Sequence, residues 1–304
     1  MNDDSLAPRT VPAKPVRGVW DRIDAALPYL FPLPAVAVML VIIVYPVYYL
    51  VDMSLQSFNI MLETRFIGLR NFERLLNDSY FWSALRKTGL LVLISVCGAT
   101  LLGVATAAVL KRDFRGVAWL RVVFLLPMFA TPVAVGLVWL TMFHPELGVI
   151  NYLLASVGLP QSLWLASPAT AIPSIALVDV WQRTPLVMLI VLAGLRALPR
   201  EPFEAAIIDG AGRWQTFWYV TLPLLRPALT IAVMFTTIDA MKTFDKIFVM
   251  TQGGPARASE TLSVYAYLRT FSYMELGYGS AVIFVFAALT MLLSWLFLRY
   301  RRGR

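Results

Sequence analysis

Four stretches of this chain, 28–51, 88–110, 122–143 and 277–298, contain no Asp, Glu, Lys or Arg. Each exceeds the roughly 20 residues that a helix needs to cross a hydrocarbon core about 30 Å thick. Two more apolar stretches, 169–195 and 227–250, are as long but carry charges. A segment in lipid must satisfy its own backbone hydrogen bonds, and a helix does so internally. The expected fold is therefore an all-α membrane protein with six transmembrane helices. Pro46, Pro127, Pro132 and Pro185 lie inside these stretches and predict kinks. The composition agrees: 59% of residues are hydrophobic and 14% charged, against about a quarter charged in soluble domains.

The net charge of +8 does not point to nucleic acid, because the cations sit at the ends of apolar runs and not on one face. One cysteine, Cys97, excludes an intrachain disulfide, and one histidine, His144, stands far from it. No metal site is expected. Residues 1–27 are expected to form a polar, Pro-rich tail whose part from Val16 to Leu27 makes an interfacial amphipathic helix. The apolar run behind it is too long for a signal peptide and lacks a small-residue cleavage site. Residues 28–298 form the six-span domain, and 299–304 a basic tail.

Lys and Arg set the orientation. Placing the N-terminus inside puts four of them in each of the segments 1–27, 111–121, 196–226 and 299–304. The opposite side keeps Arg65, Arg70, Arg74, Arg86, Lys87, Arg257 and Arg269. Both termini are therefore expected in the cytoplasm.

Between the fourth and fifth stretches lies a polar-bearing interruption, 201–227. Glu201 to Asp209 reads as a short helix that ends at Gly210, since glycine accepts left-handed backbone angles. Trp214 to Val220 reads as a second helical piece, with Pro223 and Pro227 punctuating the entry to the fifth stretch. A helix, a glycine turn and a helix on the inner surface predict a docking element for another protein. No phosphate-cradling GxxxxGK[ST] occurs in the sequence, so the chain is not expected to hydrolyse ATP by that route.

This loop resembles the EAA loop of ATP-binding-cassette importer permeases. The family pattern is Glu-Ala-Ala, three residues, Gly, nine residues, Ile, one residue, Leu-Pro. Here it reads Glu204, Ala205, Ala206, then Asp209-Gly210, then Val220 in place of Ile, then Leu222-Pro223. Asn71-Phe72, Tyr80-Phe81-Trp82, Pro145 to Asn151, and Thr251-Gln252-Gly253-Gly254-Pro255 followed by Glu260-Thr261-Leu262 are similar to the carbohydrate branch. The resemblance implies a type I importer permease core and carbohydrate uptake. It also implies a second homologous permease, two ATPase subunits that use the ATP, and an extracytoplasmic solute-binding protein. No cofactor is implied for this chain.

The charged stretches carry the candidate path. A charge at the bilayer centre costs at least about 2.5 kcal/mol, so it faces a cavity or a partner. Asp179 lies ten residues into a run from Ala169, about 15 Å deep at 1.5 Å per residue. Asp179, Gln182, Arg183 and Leu186 share one helical face. Asp239, Lys242, Thr243 and Lys246 share another, with Asp245 pointing elsewhere. Asp179 and Arg183 are also spaced to pair with each other, and Lys246 to snorkel outward. Trp139 and Trp164 are expected as interface anchors, and Trp181 off the main polar face. In maltose-type permeases, the sugar-contacting positions match Asp179, Gln182, Arg183, Leu186, Ala240 and Thr243. There they are neutral, whereas Asp179 and Arg183 are charged.

The expected function is a permease subunit that carries a sugar or sugar-like solute inward, with no enzymatic activity of its own. A polyol or glycerol-3-phosphate importer is the alternative within the family. A stand-alone secondary transporter would leave the EAA-like loop without a role, and a membrane-embedded enzyme would need more than one histidine or clustered carboxylates.

Overall fold

The computed structural model describes residues 27–59 and 62–302. Most of the expected interfacial helix from Val16 lies outside the described residues. The chain divides into two compact units, Met1–Leu50 and Val51–Arg304. The described part of the first is a helix within the apolar stretch Leu27–Ser54; its main body is α1, Leu33–Ser54, with Pro46 inside it. The last turn of α1 belongs to the second unit.

That unit opens on a two-stranded antiparallel hairpin, β1 (Gln56–Asn59) and β2 (Leu62–Phe66), which pairs Gln56 with Phe66 and Ser57 with Arg65. It is a small departure from the all-α expectation. Asn71, at the start of α2 (Arg70–Asn77), donates to the carbonyls of Ser54 and Gln56 at 2.8 and 2.9 Å. Those bonds satisfy backbone groups that the end of α1 leaves open. Helix α3, Ser79–Leu110, begins nine residues before the apolar stretch it contains because Asp78 caps it, accepting from the Tyr80 amide at 2.8 Å. The Asp78 carboxylate also accepts from Tyr265 at 2.5 Å and Tyr278 at 2.8 Å. Burial pushes this carboxyl up, but the Tyr265 and Tyr278 hydroxyls, the Tyr80 amide and the Arg269 charge together hold it below its ordinary value.

The core forms where α3 meets α7 (Ala171–Arg196). Ser95, Ala99, Gly103 and Ala107 recur every four residues on α3 and are all buried. This stripe of small side chains lets the two backbones approach closely. A Cβ on Gly103 would come 2.5 Å from a Val187 methyl and 3.1 Å from the Met188 backbone nitrogen. In lipid such contact supplies the association that apolar burial supplies in water. Around it, Leu110, Val187, Met188, Val191, Leu195 and Leu225 form one apolar cluster, and Leu91, Ile172, Ile175, Val178 and Ile247 another.

Two expected spans are broken. The stretch 122–143 is not one helix: α4 (Val117–Phe129) and α5 (Pro132–Met142) meet at 98°. Pro132 opens α5, and a residue before proline is driven to extended angles, as Thr131 is at ψ 140°. The stretch 227–250 is split as well. Helix α10 (Leu222–Met241) ends at Lys242, and α11 (Asp245–Thr251) restarts after Phe244. Among the described residues, five helices are long and apolar enough to cross a membrane, with the bent pair α4–α5 a sixth candidate.

The remaining elements are α6 (Val149–Ser156), α8 (Glu201–Ile208), the single turn α9 (Arg213–Gln215), α12 (Leu262–Tyr267) and α13 (Leu276–Arg302). The expected second helical piece of the loop does not stop at its prolines. Helical backbone runs from Arg213 through a π-wound segment, Thr216–Thr221, into α10, and Pro223 and Pro227 lie inside that run. Pro223 has no N–H to give and crowds the carbonyl four residues back, and the wider winding accommodates it.

Candidate functional site

A cavity of about 310 Å³ lies where both breaks face the middle of α7. Its walls are Met128, Ala130 and Pro132 from the α4–α5 corner, Gln182, Arg183 and Leu186 from α7, and the segment from Asp239 to Lys246 around the α10–α11 gap.

Three residues of α7, Asp179, Gln182 and Arg183, hold both breaks. Arg183 Nε donates to Asp179 Oδ2 at 2.6 Å. Its two terminal nitrogens donate to Asp239 and, at 2.7 Å, to Thr243 Oγ1. Lys246 donates to the other oxygen of Asp179. Asp179 is fully buried and Lys246 nearly so, while the Asp239 side chain is 67% exposed. A carboxylate buried among apolar helices holds its charge only when paired, and Asp179 has two cations. Gln182 Nε2 donates to the Ala130 carbonyl at 2.9 Å. The break at Thr131 strips that carbonyl of its helical partner, and Gln182 replaces it.

The structure brings together seven of the eight residues expected along the path, and it changes their parts. Gln182, Arg183, Leu186, Asp239, Lys242 and Thr243 line the cavity. Asp179 stands behind Arg183, and Ala240 is buried away from the opening. Asp179 and Arg183 are not a closed pair but half of a four-charge network across three elements. Lys246 does not snorkel, because the helix restart at Asp245 turns it inward onto Asp179. Asp245, expected elsewhere, lines the cavity for the same reason. A helical projection continued through residues 242–244 misplaces Asp245, though it keeps Lys246 on the face where the cavity lies. Met128 and Ala130 were not singled out by sequence; Pro132, expected as a kink, was the signal of the corner. Trp139 and Trp164 are not lone anchors. Trp139 packs on Trp181 at 5.6 Å between ring centres, Trp164 stacks on Phe143 at 4.8 Å, and Trp164 Nε1 donates to Asn151 at 2.7 Å.

At the other end of α7 is the loop 201–227. Glu201 and Glu204 sit in the first turn of α8, where carboxylates suit the positive end of the helix dipole. Asp209 caps the helix and Gly210 follows at φ +74°. The Ala211 amide bonds back to the Ala206 carbonyl at 2.9 Å, which closes the turn. Ala206 is buried, while Glu204, Ala205, Ile207, Ile208 and Asp209 are exposed. Ile207 is 73% exposed and Ile208 86%. Leu222 and Pro223 are half-buried at the start of α10. A cleft of about 520 Å³ at the base of α8 is lined by Lys111, Asp113, Arg200, Phe203 and Glu204, among others.

The family model described as "Binding-protein-dependent transport system inner membrane component" matches residues 99–303. The sulfoquinovosyl glycerol transport system permease protein SmoG of Agrobacterium fabrum is 38% identical over 284 residues, 92% of either chain. The trehalose/maltose transport system permease protein MalF of Thermococcus litoralis is 35% identical over 282 residues, 92% of this chain and 95% of that one. The fold is similar to a chain of a bacterial ABC transporter involved in alginate import, with a TM-score of 0.80 and 21% identity over 94% of this chain and 98% of that one. The spans, the loop and these matches lead to one conclusion: the chain is a multi-pass permease subunit of an ABC importer, of the binding-protein-dependent inner membrane component family.

Proposed function

We propose that this permease carries a sugar or sugar-like solute through the cavity between α7 and the two helix breaks, driven by ATP hydrolysed on a separate subunit. The observation that carries the reading is the cavity itself. Polar side chains from α7 and α10–α11 meet there, and these are the two elements that flank the loop 201–227. A solute rich in hydroxyls needs donors and acceptors to replace its water. The relatives named for sulfoquinovosyl glycerol and for trehalose and maltose support the solute class. A polyol or glycerol-3-phosphate is the alternative solute. The family membership weighs against a stand-alone secondary transporter.

In this reading α8 docks on the ATPase through Glu204, Ala205 and Asp209, with Ile207 and Ile208 as its apolar contact. Ala206, Gly210, Leu222 and Pro223 shape the loop. The chain works beside a second homologous permease, two ATPase subunits and an extracytoplasmic binding protein. A structure of the alginate transporter is of a complex with a solute-bound periplasmic protein, which supports the last of these. Residues 1–27 and 299–304 lie in the cytoplasm with the loop. The chain supplies no ATPase of its own.

Uptake of labelled sugars by cells holding the whole transporter tests the solute class; no sugar uptake in the presence of intact ATPase activity would refute it. Cysteines placed at Arg112, Arg200 and Arg302 should label only in permeabilised membranes, and those at Arg70 and Arg257 from outside. The reverse pattern would overturn the orientation.

A further inference from the structure

The notable property of the cavity is how few of its polar groups are free. Arg183 commits its Nε–H and one N–H of each terminal nitrogen to Asp179, Asp239 and Thr243. Lys246 is buried on Asp179. Gln182 uses its amide nitrogen on Ala130. The groups of the cavity with no partner at all are the second carboxylate oxygen of Asp239, the carboxylate of Asp245, the amide oxygen of Gln182 and the ammonium of Lys242. The side chains of Lys242 and Asp245 are exposed and, among the described residues, make no hydrogen bond or ion pair.

We infer that this cavity selects an uncharged polyhydroxyl solute, and that Asp239 and Asp245, not Arg183, are the residues of this chain that read it. The inference rests on the proposed path and narrows its solute class. Among these unpartnered groups acceptor atoms outnumber donor atoms four to one, which suits a ring of hydroxyls, each of which has a proton to donate. Charge points the same way. The three cations Arg183, Lys242 and Lys246 are matched by the three carboxylates Asp179, Asp239 and Asp245. The cavity therefore has no positive excess with which to replace the hydration of a phosphate, sulfonate or uronate. Such an anion would find one uncommitted ammonium beside two carboxylates. The apolar faces of Met128, Leu186 and Phe244 are left for the carbon side of a sugar ring.

The test is uptake by cells holding the complete transporter. The probes are maltose, trehalose and glycerol on one side, and glucuronate, glycerol-3-phosphate and a sulfonated sugar on the other. Each is measured with the unaltered chain, Lys242→Gln and Asp245→Asn, with the amount of chain in the membrane as control. Both positions are exposed, so both variants should insert normally. An uncharged solute should be taken up; its KM should rise about tenfold in Asp245→Asn, which loses a charged acceptor, and by less in Lys242→Gln. Uptake of an anionic solute in preference would overturn the inference, whether or not Lys242→Gln impairs it. An uncharged solute whose KM is unmoved by Asp245→Asn would overturn the assignment of the reader. If no solute of either kind enters while ATP is still hydrolysed, the sugar reading itself fails, and this inference falls with it.

Discussion

The cavity and the loop 201–227 lie at different points along α7 and are built on opposite principles. In the cavity, four charged groups are held by one another, and one of them, Asp179, is fully buried. In the loop, the charged groups Glu204 and Asp209 are in the open and α8 is fixed by ordinary helix devices, an acidic first turn and a glycine stop. Buried charges are costly to leave unpaired, whereas exposed ones are screened by water. The cavity therefore couples function to folding, and the loop separates them. That difference can be measured.

The largest effect belongs to Asp179→Leu. It leaves Arg183 short of a partner and Lys246 buried without one, at a cost of about 3–5 kcal/mol. The yield of monodisperse protein extracted from membranes should collapse. Replacing Asp179 together with Arg183 does not remedy this, because Lys246 is still stranded. Asp179→Leu with Lys246→Leu removes the buried pair, leaves Arg183 on Asp239, and should restore most of the yield. Equal yields from the single variant and this double variant would show that the network does not hold α7 to α11.

Next is the loop. Glu204→Lys with Gly210→Pro should leave the chain inserted and extractable but abolish transport, since proline cannot adopt φ +74°. Normal transport by this variant would show that α8 does not dock. A smaller effect is expected at the α4–α5 corner. Gln182→Leu strands the Ala130 carbonyl, at about 1–3 kcal/mol, and should lower the unfolding temperature in detergent without loss of insertion. The smallest stability change is expected for Ile208→Ser, within about 0.5 kcal/mol as befits an exposed side chain. The same variant should weaken ATPase binding in a pull-down. A large stability loss there would erase the contrast between the two regions.

Sequence determined the parts whose causes are local. Long runs without charge announce helices in lipid, since a helix satisfies all its backbone bonds within one segment. The first half of the loop was legible, because a helix stop at glycine and an acidic first turn need no distant partner; the run of helix through Pro223 and Pro227 was not. The charges at Asp179, Arg183, Asp239, Lys242 and Lys246 marked the site, because isolated charges do not survive in apolar spans. Tertiary structure decided the rest. Whether helix continues through residues 242–244, and how sharply α4 turns into α5, depends on what α7 offers in exchange for the lost backbone bonds. Those offers come from Gln182, reaching 52 positions back to Ala130, and from Arg183, reaching 60 positions on to Thr243. Periodicity assumes an unbroken helix. It therefore placed Asp245 away from the site, when the restart at Asp245 turns it into the cavity; Lys246, expected on the polar face with snorkelling as the alternative, is buried against Asp179.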